Sequence, residues 1–218
     1  MRKYDTIIWD LDGTLLNTLE DLKNAVNYSC EKLGYETHSL EEIRTFVGNG
    51  VKRLMELSIP NGKNNPNYDL SYDYFNEFYI DHSLDNTKPY DGVVELINEL
   101  KAKGVKQAIV SNKIDYAVKT LNDNFFQVDI AIGVTDDLPR KPAPDMVWKA
   151  MELLKADKET TVYIGDSEVD LLTARNSDLD CISVLWGFRK RNEIEPLHPM
   201  CIVATPDEIL QYIKKRDS

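Results

Sequence analysis

Apolar positions along the chain recur with two different periods, and the changes of period divide it into segments. Ile7-Ile8-Trp9 is a short β-rich run ending at Asp10, which predicts a buried strand with an acid at its carboxyl end. From Leu19 the spacing becomes helical. Leu19, Leu22, Val26, Cys30 and Leu33 fall three and four apart, and Gly34 stops the helix they predict. Ser39-Leu40-Glu41-Glu42 has the form of a capping box and opens a second helix through Phe46. Gly48-Asn49-Gly50 interrupts it, and a third helix follows over Val51 to Leu57. Pro60 to Asn67 reads as a loop and Tyr68 to Ile80 as an aromatic-studded helix. No strand-like run occurs between Asn17 and about Asp85, so residues 17–85 are expected to form an all-helical insertion.

From Pro89 strands and helices alternate. Val93 to Lys103 reads as a helix stopped by Gly104, and Val105 to Val110 as a strand leading into Ser111-Asn112-Lys113. A helix over Asp115 to Leu121, a strand over Val128 to Val134 and a helix over Pro144 to Lys155 follow, with Pro144 suited to a first turn. Then come a strand over Thr161 to Ile164, a helix over Val169 to Asn176, strands at Cys181 to Leu185 and Ile202 to Ala204, and a last helix to Lys215. This alternation implies right-handed βαβ crossovers. The expected fold class is α/β, a doubly wound, Rossmann-like parallel sheet built from residues 1–16 and 86–218, carrying the helical insertion.

Composition narrows the classes of partner. The chain has 218 residues, 42% hydrophobic and 29% charged, with a formal charge of -11. Nucleic acids and anionic membranes are bound through cationic surfaces, so neither is expected as a partner. A small phosphorylated metabolite stays possible, because charges beyond a Debye length are screened. No apolar run reaches the length of about 18 residues that a membrane helix needs, and Met1 to Asp5 lead directly into the first strand. A cytoplasmic location is therefore expected, as a monomer or homodimer. Cys30, Cys181 and Cys201 are odd in number and lie on apolar segments, which reads as reduced core cysteines. His38, His82 and His198 are scattered and give no support to a histidine metal site.

The chemistry concentrates at the predicted strand ends. In Asp10-Leu11-Asp12-Gly13-Thr14 the two acids leave the strand on one side, and Gly13 lets the chain bend away. Converging carboxylates repel unless a cation lies between them, and Mg²⁺ typically takes one or two carboxylates with water and a substrate phosphate. A carboxylate beside such a metal can also attack phosphorus. A plain acidic turn is the bland alternative. An EF-hand loop is not, because the glycine is fourth and Asp21 stands where a glutamate is needed. Ser111-Asn112 can donate to phosphate oxygens or merely cap a helix. Lys141, between Arg140 and Pro142, is a point charge for a phosphoryl oxygen and a carboxylate, or a solvated loop lysine. In Gly165-Asp166-Ser167-Glu168-Val169-Asp170, Asp166 sits at a strand end for a metal, and Asp170 opens a helix whose dipole favours acids.

These four constellations occur together and in order, each just after a predicted strand. The sequence resembles the haloacid dehalogenase (HAD) superfamily of phosphatases, whose motifs match Asp10-Leu11-Asp12-Gly13-Thr14, Ser111, Lys141 and Gly165-Asp166 with Asp170. The likeness covers essentially the whole chain, and the insertion resembles that superfamily's mobile cap. Phe46-Val47-Gly48-Asn49-Gly50, Ser111-Asn112-Lys113 and Lys141-Pro142-Ala143-Pro144-Asp145 look most like the phosphoglycolate phosphatase branch, although Asn17-Thr18 stands where that branch often has Asp-Ser.

The resemblance implies that Asp10 attacks phosphorus and that Asp12 is the general acid/base. It places Mg²⁺ on Asp10, the Asp12 main-chain carbonyl and Asp166, with Asp170 orienting Lys141 or a metal-bound water. Thr14, Ser111, Asn112 and Lys141 would bind the phosphoryl group. Gly48, Asn49 and Gly50, leading to Lys52 and Arg53, are expected to select substrate through an anionic group at a helix N-terminus; a plain interhelical turn is the alternative. Pyrophosphate, nucleoside monophosphates and sugar phosphates are further substrates open to the same chemistry. A phosphomutase or a phosphoreceiver signalling module would use related residues. A receiver needs neither Asp12 nor a helical cap.

Overall fold

The structure, a computed structural model, describes residues 4–213. It divides into two compact units, one running to Leu15 and resuming at Pro89, the other Leu16–Lys88. In the first unit, β1 (Thr6–Trp9) is followed, after the second unit, by α5 (Val93–Ala102), β4 (Lys106–Ile114), α6 (Asp115–Phe125), β5 (Ile130–Val134), α7 (Asp145–Leu154), β6 (Thr161–Gly165), α8 (Glu168–Asn176), β7 (Asp180–Val184), α9 (Arg191–Ile194) and β8 (Cys201–Val203). The second unit holds α1 (Leu19–Lys32), α2 (Leu40–Phe46), α3 (Val51–Ser58) and α4 (Tyr68–His82). The short strands β2 (Leu16–Asn17) and β3 (Lys88–Pro89) form their own two-stranded sheet.

The main sheet has the order β5-β4-β1-β6-β7-β8, and every neighbouring pair is parallel. The fold is thus the doubly wound α/β sheet that the alternation predicts. Trp9 stands opposite both Ile109 and Ile164, so Asp10 is level with Val110 and Gly165, just short of Ser111 and Asp166. The chain extends the sheet to one side of β1 through β4 and β5, and to the other through β6 to β8. That reversal is the switch point at which open α/β sheets bind ligands.

Period-two alternation sends Ile8, Val110, Tyr163 and Cys181 into one core cluster with Met146, Val147 and Ala150 of α7 and Leu171 and Ala174 of α8. On α5, Val93, Leu96, Ile97 and Leu100 are buried, the stripe its spacing predicts. Burying about one large aliphatic side chain contributes roughly 1.5–3 kcal/mol, so these stripes, more than helix propensity, fix where each helix lies.

In the helical unit the capping box is complete: the Glu42 N–H donates to Ser39 Oγ at 3.3 Å and the Ser39 N–H to Glu42 Oε2 at 2.8 Å. Ser29 of α1 donates to the Ser71 carbonyl of α4 at 2.7 Å. Asp21, 2% exposed, accepts from the Asn86 N–H at 3.0 Å, the Asn86 side-chain amide at 2.8 Å and the Thr87 N–H at 2.8 Å.

Several boundaries differ from expectation. β4 continues to Ile114 because a register shift between Val110 and Ile114 lets the strand pass through Ser111-Asn112-Lys113 instead of ending there. Pro144 lies just before α7, not inside its first turn. The final segment is a 3-10 helix, Pro206–Tyr212; the expected end at Lys215 lies outside the described residues. The short α9 has too few apolar positions to register a period. All three cysteines are free, Cys30 and Cys181 buried and Cys201 only partly so. Among the described residues no helix is long and apolar enough to cross a membrane.

Replacing Asp21 by Ala strands three donors, two of them main-chain. Leaving a buried donor unpaired costs about 1–3 kcal/mol, so urea unfolding of Asp21→Ala is expected to show a loss of about 2 kcal/mol. Asp21→Asn, which keeps one acceptor, should lose less.

Candidate active site

Asp10 leaves β1 on a main-chain hydrogen bond to Ile164 O at 2.9 Å and is 6% exposed. Its Oδ1 is 2.5 Å from Lys141 Nζ, and its Oδ2 accepts from Thr14 Oγ1 at 3.2 Å. Lys141, 3% exposed, also reaches Asp170 Oδ1 at 2.8 Å and the Tyr163 hydroxyl at 3.0 Å. An ammonium has three N–H donors, and these contacts engage all of them. Asp170 in turn accepts at Oδ2 from the Ser167 N–H at 3.0 Å and the Ser167 hydroxyl at 2.6 Å, an N-terminal box on α8.

Asp10, Asp166 and Asp170 offer carboxylate oxygens within 4.8 Å of one another, all from buried residues. Burial, the largest effect, and then Asp170 push the Asp10 carboxyl up to about 7, while Lys141 pulls it down. Asp166 is raised for the same reasons, burial first and then Asp170 and Asp10, partly offset by the Phe188 N–H. Burial alone would lower Lys141, but Asp10 and Asp170 outweigh it and hold the ammonium well above its usual range. Three buried carboxyls thus share one lysine, and burial and mutual repulsion favour a proton, or a cation in its place, among them. Its all-oxygen, acidic donor set suits a hard divalent cation.

The sequence-predicted residues separate by what they touch. Asp12 lies outside the acid cluster; its Oδ1 is 3.2 Å from the Nζ of Lys113, a lysine whose side chain is 6% exposed. Ser111 accepts from the Lys113 N–H at 3.1 Å, a bond that leaves the hydroxyl proton uncommitted. The Asn112 carbonyl accepts from the Lys141 N–H at 2.7 Å and its amide donates to Lys141 O at 3.1 Å, so it holds the lysine's loop through its oxygen and one amide N–H. Thr14 likewise orients Asp10. In the helical unit Gly50 precedes α3 with φ 76° and Gly48 has φ 119°. Lys52 sits over the Tyr72 ring at 5.8 Å, and Arg53 pairs with Glu56 at 2.8 Å.

Sequence reasoning missed Tyr163, a tyrosine inside an apolar strand that reads as core, and Tyr90, whose phenol is pushed up by burial and then by Asp166, Asp12 and Asp10. It also missed residues 186–189, which carry no motif.

The haloacid dehalogenase-like hydrolase family model matches residues 7–184, and the chain belongs to that family. A phosphoglycolate phosphatase of Psychrobacter arcticus is 31% identical, over 96% of this chain and 95% of its own length. A candidate pyrophosphatase, PpaX, of Caldanaerobacter subterraneus is 30% identical, over 99% and 97%. The crystal structure of a candidate phosphoglycolate phosphatase of Lactobacillus delbrueckii subsp. bulgaricus superposes with a TM-score of 0.92 at 35% identity, covering 97% of this chain and 98% of that one. The protein is thus an enzyme of a hydrolase family with a HAD core.

A carboxyl whose folded value exceeds its unfolded one keeps protons that the unfolded chain has released. In the metal-free protein, the Asp10 contribution is fully present below pH 3.8 and is lost as pH rises through about 7. Stability from urea titrations across that window should therefore fall less steeply with pH in Asp10→Asn than in the wild type. Equal slopes would contradict the assignment.

Proposed function

We propose that this protein is a Mg²⁺-dependent phosphomonoester hydrolase acting through an aspartyl-phosphate on Asp10, with 2-phosphoglycolate as the favoured small-metabolite substrate. One observation carries the reading: a buried ammonium, Lys141, in contact with Asp10 and Asp170 at the carboxyl ends of parallel strands. Phosphoryl transfer asks chiefly for positioning and charge neutralisation, and this arrangement supplies both.

Asp10, Asp166 and the Asp12 main-chain carbonyl would hold Mg²⁺, which when bound would polarise a phosphoryl oxygen and offset its charge. Asp10 forms a bond to phosphorus as the ester P–O bond breaks, and Asp12 gives its proton to the departing alkoxide. Asp12 then takes a proton from water, whose oxygen bonds to phosphorus and releases Asp10. The charge leaving Asp10 moves onto the phosphoryl oxygens, so the Lys141 donor that faces Asp10 can follow it. The Ser111 proton adds a further donor, with Asn112 keeping the Lys141 loop in register.

The substrate reading is supported by the phosphoglycolate phosphatase relative. Pyrophosphate is the second reading, supported by the relative that matches nearly the whole chain; nucleotides and sugar phosphates extend the panel. The helical unit acts in this proposal as a substrate-selecting cap, with Gly48, Asn49, Gly50, Lys52 and Arg53 as its specificity segment. We assign the protein to the cytoplasm, as a monomer or homodimer.

A panel of phosphorylated metabolites, assayed with Mg²⁺ and after chelation, tests the activity; turnover should require the metal and rank phosphoglycolate first. Asp10→Asn should turn over p-nitrophenyl phosphate at least about a thousandfold more slowly, as losses of a nucleophile do, and retention of the native rate would refute the mechanism. Charge reversal at Lys52 or Arg53, or Gly50→Pro, should raise KM and change substrate preference while kcat for p-nitrophenyl phosphate holds. An unchanged preference would remove the specificity segment from the account.

A further inference from the structure

Residues 186–189 follow β7 and lie beyond the stretch that the family model matches, 7–184. One contact nevertheless ties this loop to the acid cluster, and two more tie it to the segments beside it. The Phe188 N–H donates to Asp166 Oδ2 at 2.6 Å. The Trp186 indole donates to the main-chain carbonyl of Thr14 at 2.9 Å. The Arg189 guanidinium, 7% exposed, takes both oxygens of Glu168, at 2.8 and 3.1 Å.

Between them Gly187 has no room for a side chain. A Cβ there would lie 2.2 Å from Gly13 O, 2.4 Å from Asp166 Cβ and 2.5 Å from Asp166 Oδ2. Gly13, at φ 91°, also meets Asp166, and a Cβ there would fall 2.5 Å from the same Oδ2. Asp166 is thus packed closely against two glycine backbones and fixed by one main-chain donor. A carboxylate held by a main-chain N–H cannot be released by a rotamer change elsewhere, and such outer contacts set the orientation of a metal ligand.

We propose that residues 186–189 form a positioning clasp for Asp166, which sets the affinity of the acid cluster for a divalent cation. This rests on the reading of Asp166 as a metal ligand. Phe188 supplies the donor and Gly187 the clearance. Trp186, through the Thr14 carbonyl, holds the clasp against the segment whose Thr14 hydroxyl orients Asp10.

The test titrates Mn²⁺ alone into metal-free protein, with bound ion counted by electron paramagnetic resonance and folding checked by thermal denaturation. Gly187→Ala is expected to weaken Mn²⁺ binding by about tenfold or more, the usual consequence of disturbing a ligand's supporting contact. Trp186→Phe, a milder change in case Gly187→Ala does not fold, should weaken it by about threefold, as loss of a single hydrogen bond would. In both, activity toward p-nitrophenyl phosphate should return as Mn²⁺ is raised, with the substrate KM unchanged. Wild-type Mn²⁺ affinity in the folded variants, whatever their melting temperatures, would overturn the clasp. Asp166→Asn separates this from the reading beneath it: if that variant also binds Mn²⁺ like the wild type, the metal assignment itself fails. If only Asp166→Asn loses the ion, the clasp alone fails.

Discussion

Three carboxylates brought to one end of a parallel sheet, with a single buried ammonium among them, are the constraint on which the rest of the site depends. Isolated buried charges are expensive, and an ion pair in the interior is tolerated only when its remaining donors and acceptors are satisfied. Here they are. Lys141 meets Asp10, Asp170 and Tyr163, while Ser167 and Thr14 satisfy the remaining oxygens of Asp170 and Asp10. Burial first, and then the crowding of carboxylates that one lysine only partly offsets, raise the carboxyls of Asp10 and Asp166. In the proposed function that crowding receives a cation, and through it phosphate, in a chain whose overall charge is -11.

The fold serves this constraint by register. Parallel strands that end level with one another deliver Asp10, Ser111 and Asp166 to one edge, although about a hundred and fifty residues separate the first from the last. Lys141 comes from the loop before α7, too far in sequence for any local pattern to place it. It is set by Asn112, which grips that loop's backbone at both its N–H and its carbonyl. Dehydrating so many polar groups at a sheet end is offset by the apolar stripes of α5, α7 and α8 beneath and beside it. Function and stability thus occupy different levels of the same strands.

Much of this was legible in the sequence because chemistry and periodicity change at the same places. Asp10, Ser111 and Asp166 each follow an apolar run, and a polar residue at the end of a buried strand is conspicuous. The capping box at Ser39 and the helix-ending Gly34 were readable because those signals are local. What escaped detection lacks a local signal. Tyr163 resembles any core aromatic until its hydroxyl is seen between Lys141 and Asp170. The Phe188 donor is a main-chain N–H, which every residue but proline carries. Asn112 is a plausible phosphate ligand by type, and only the position of Lys141 reveals that its side chain also holds that lysine's loop. The extension of β4 through Ser111-Asn112-Lys113 depends on a shift in pairing with β5 that neither strand's own residues announce.

The central claim is that Asp10, in contact with Lys141, becomes covalently bonded to phosphorus. It is tested most directly by quenching the enzyme in acid during turnover and mapping the phosphoryl group by mass spectrometry, with hydroxylamine lability marking an acyl phosphate. The account predicts one phosphoryl group on the peptide containing Asp10, discharged by hydroxylamine and missing from Asp10→Asn. A phosphoryl group on Ser111 or any other side chain, or turnover with no labelled protein at any time point, would contradict it.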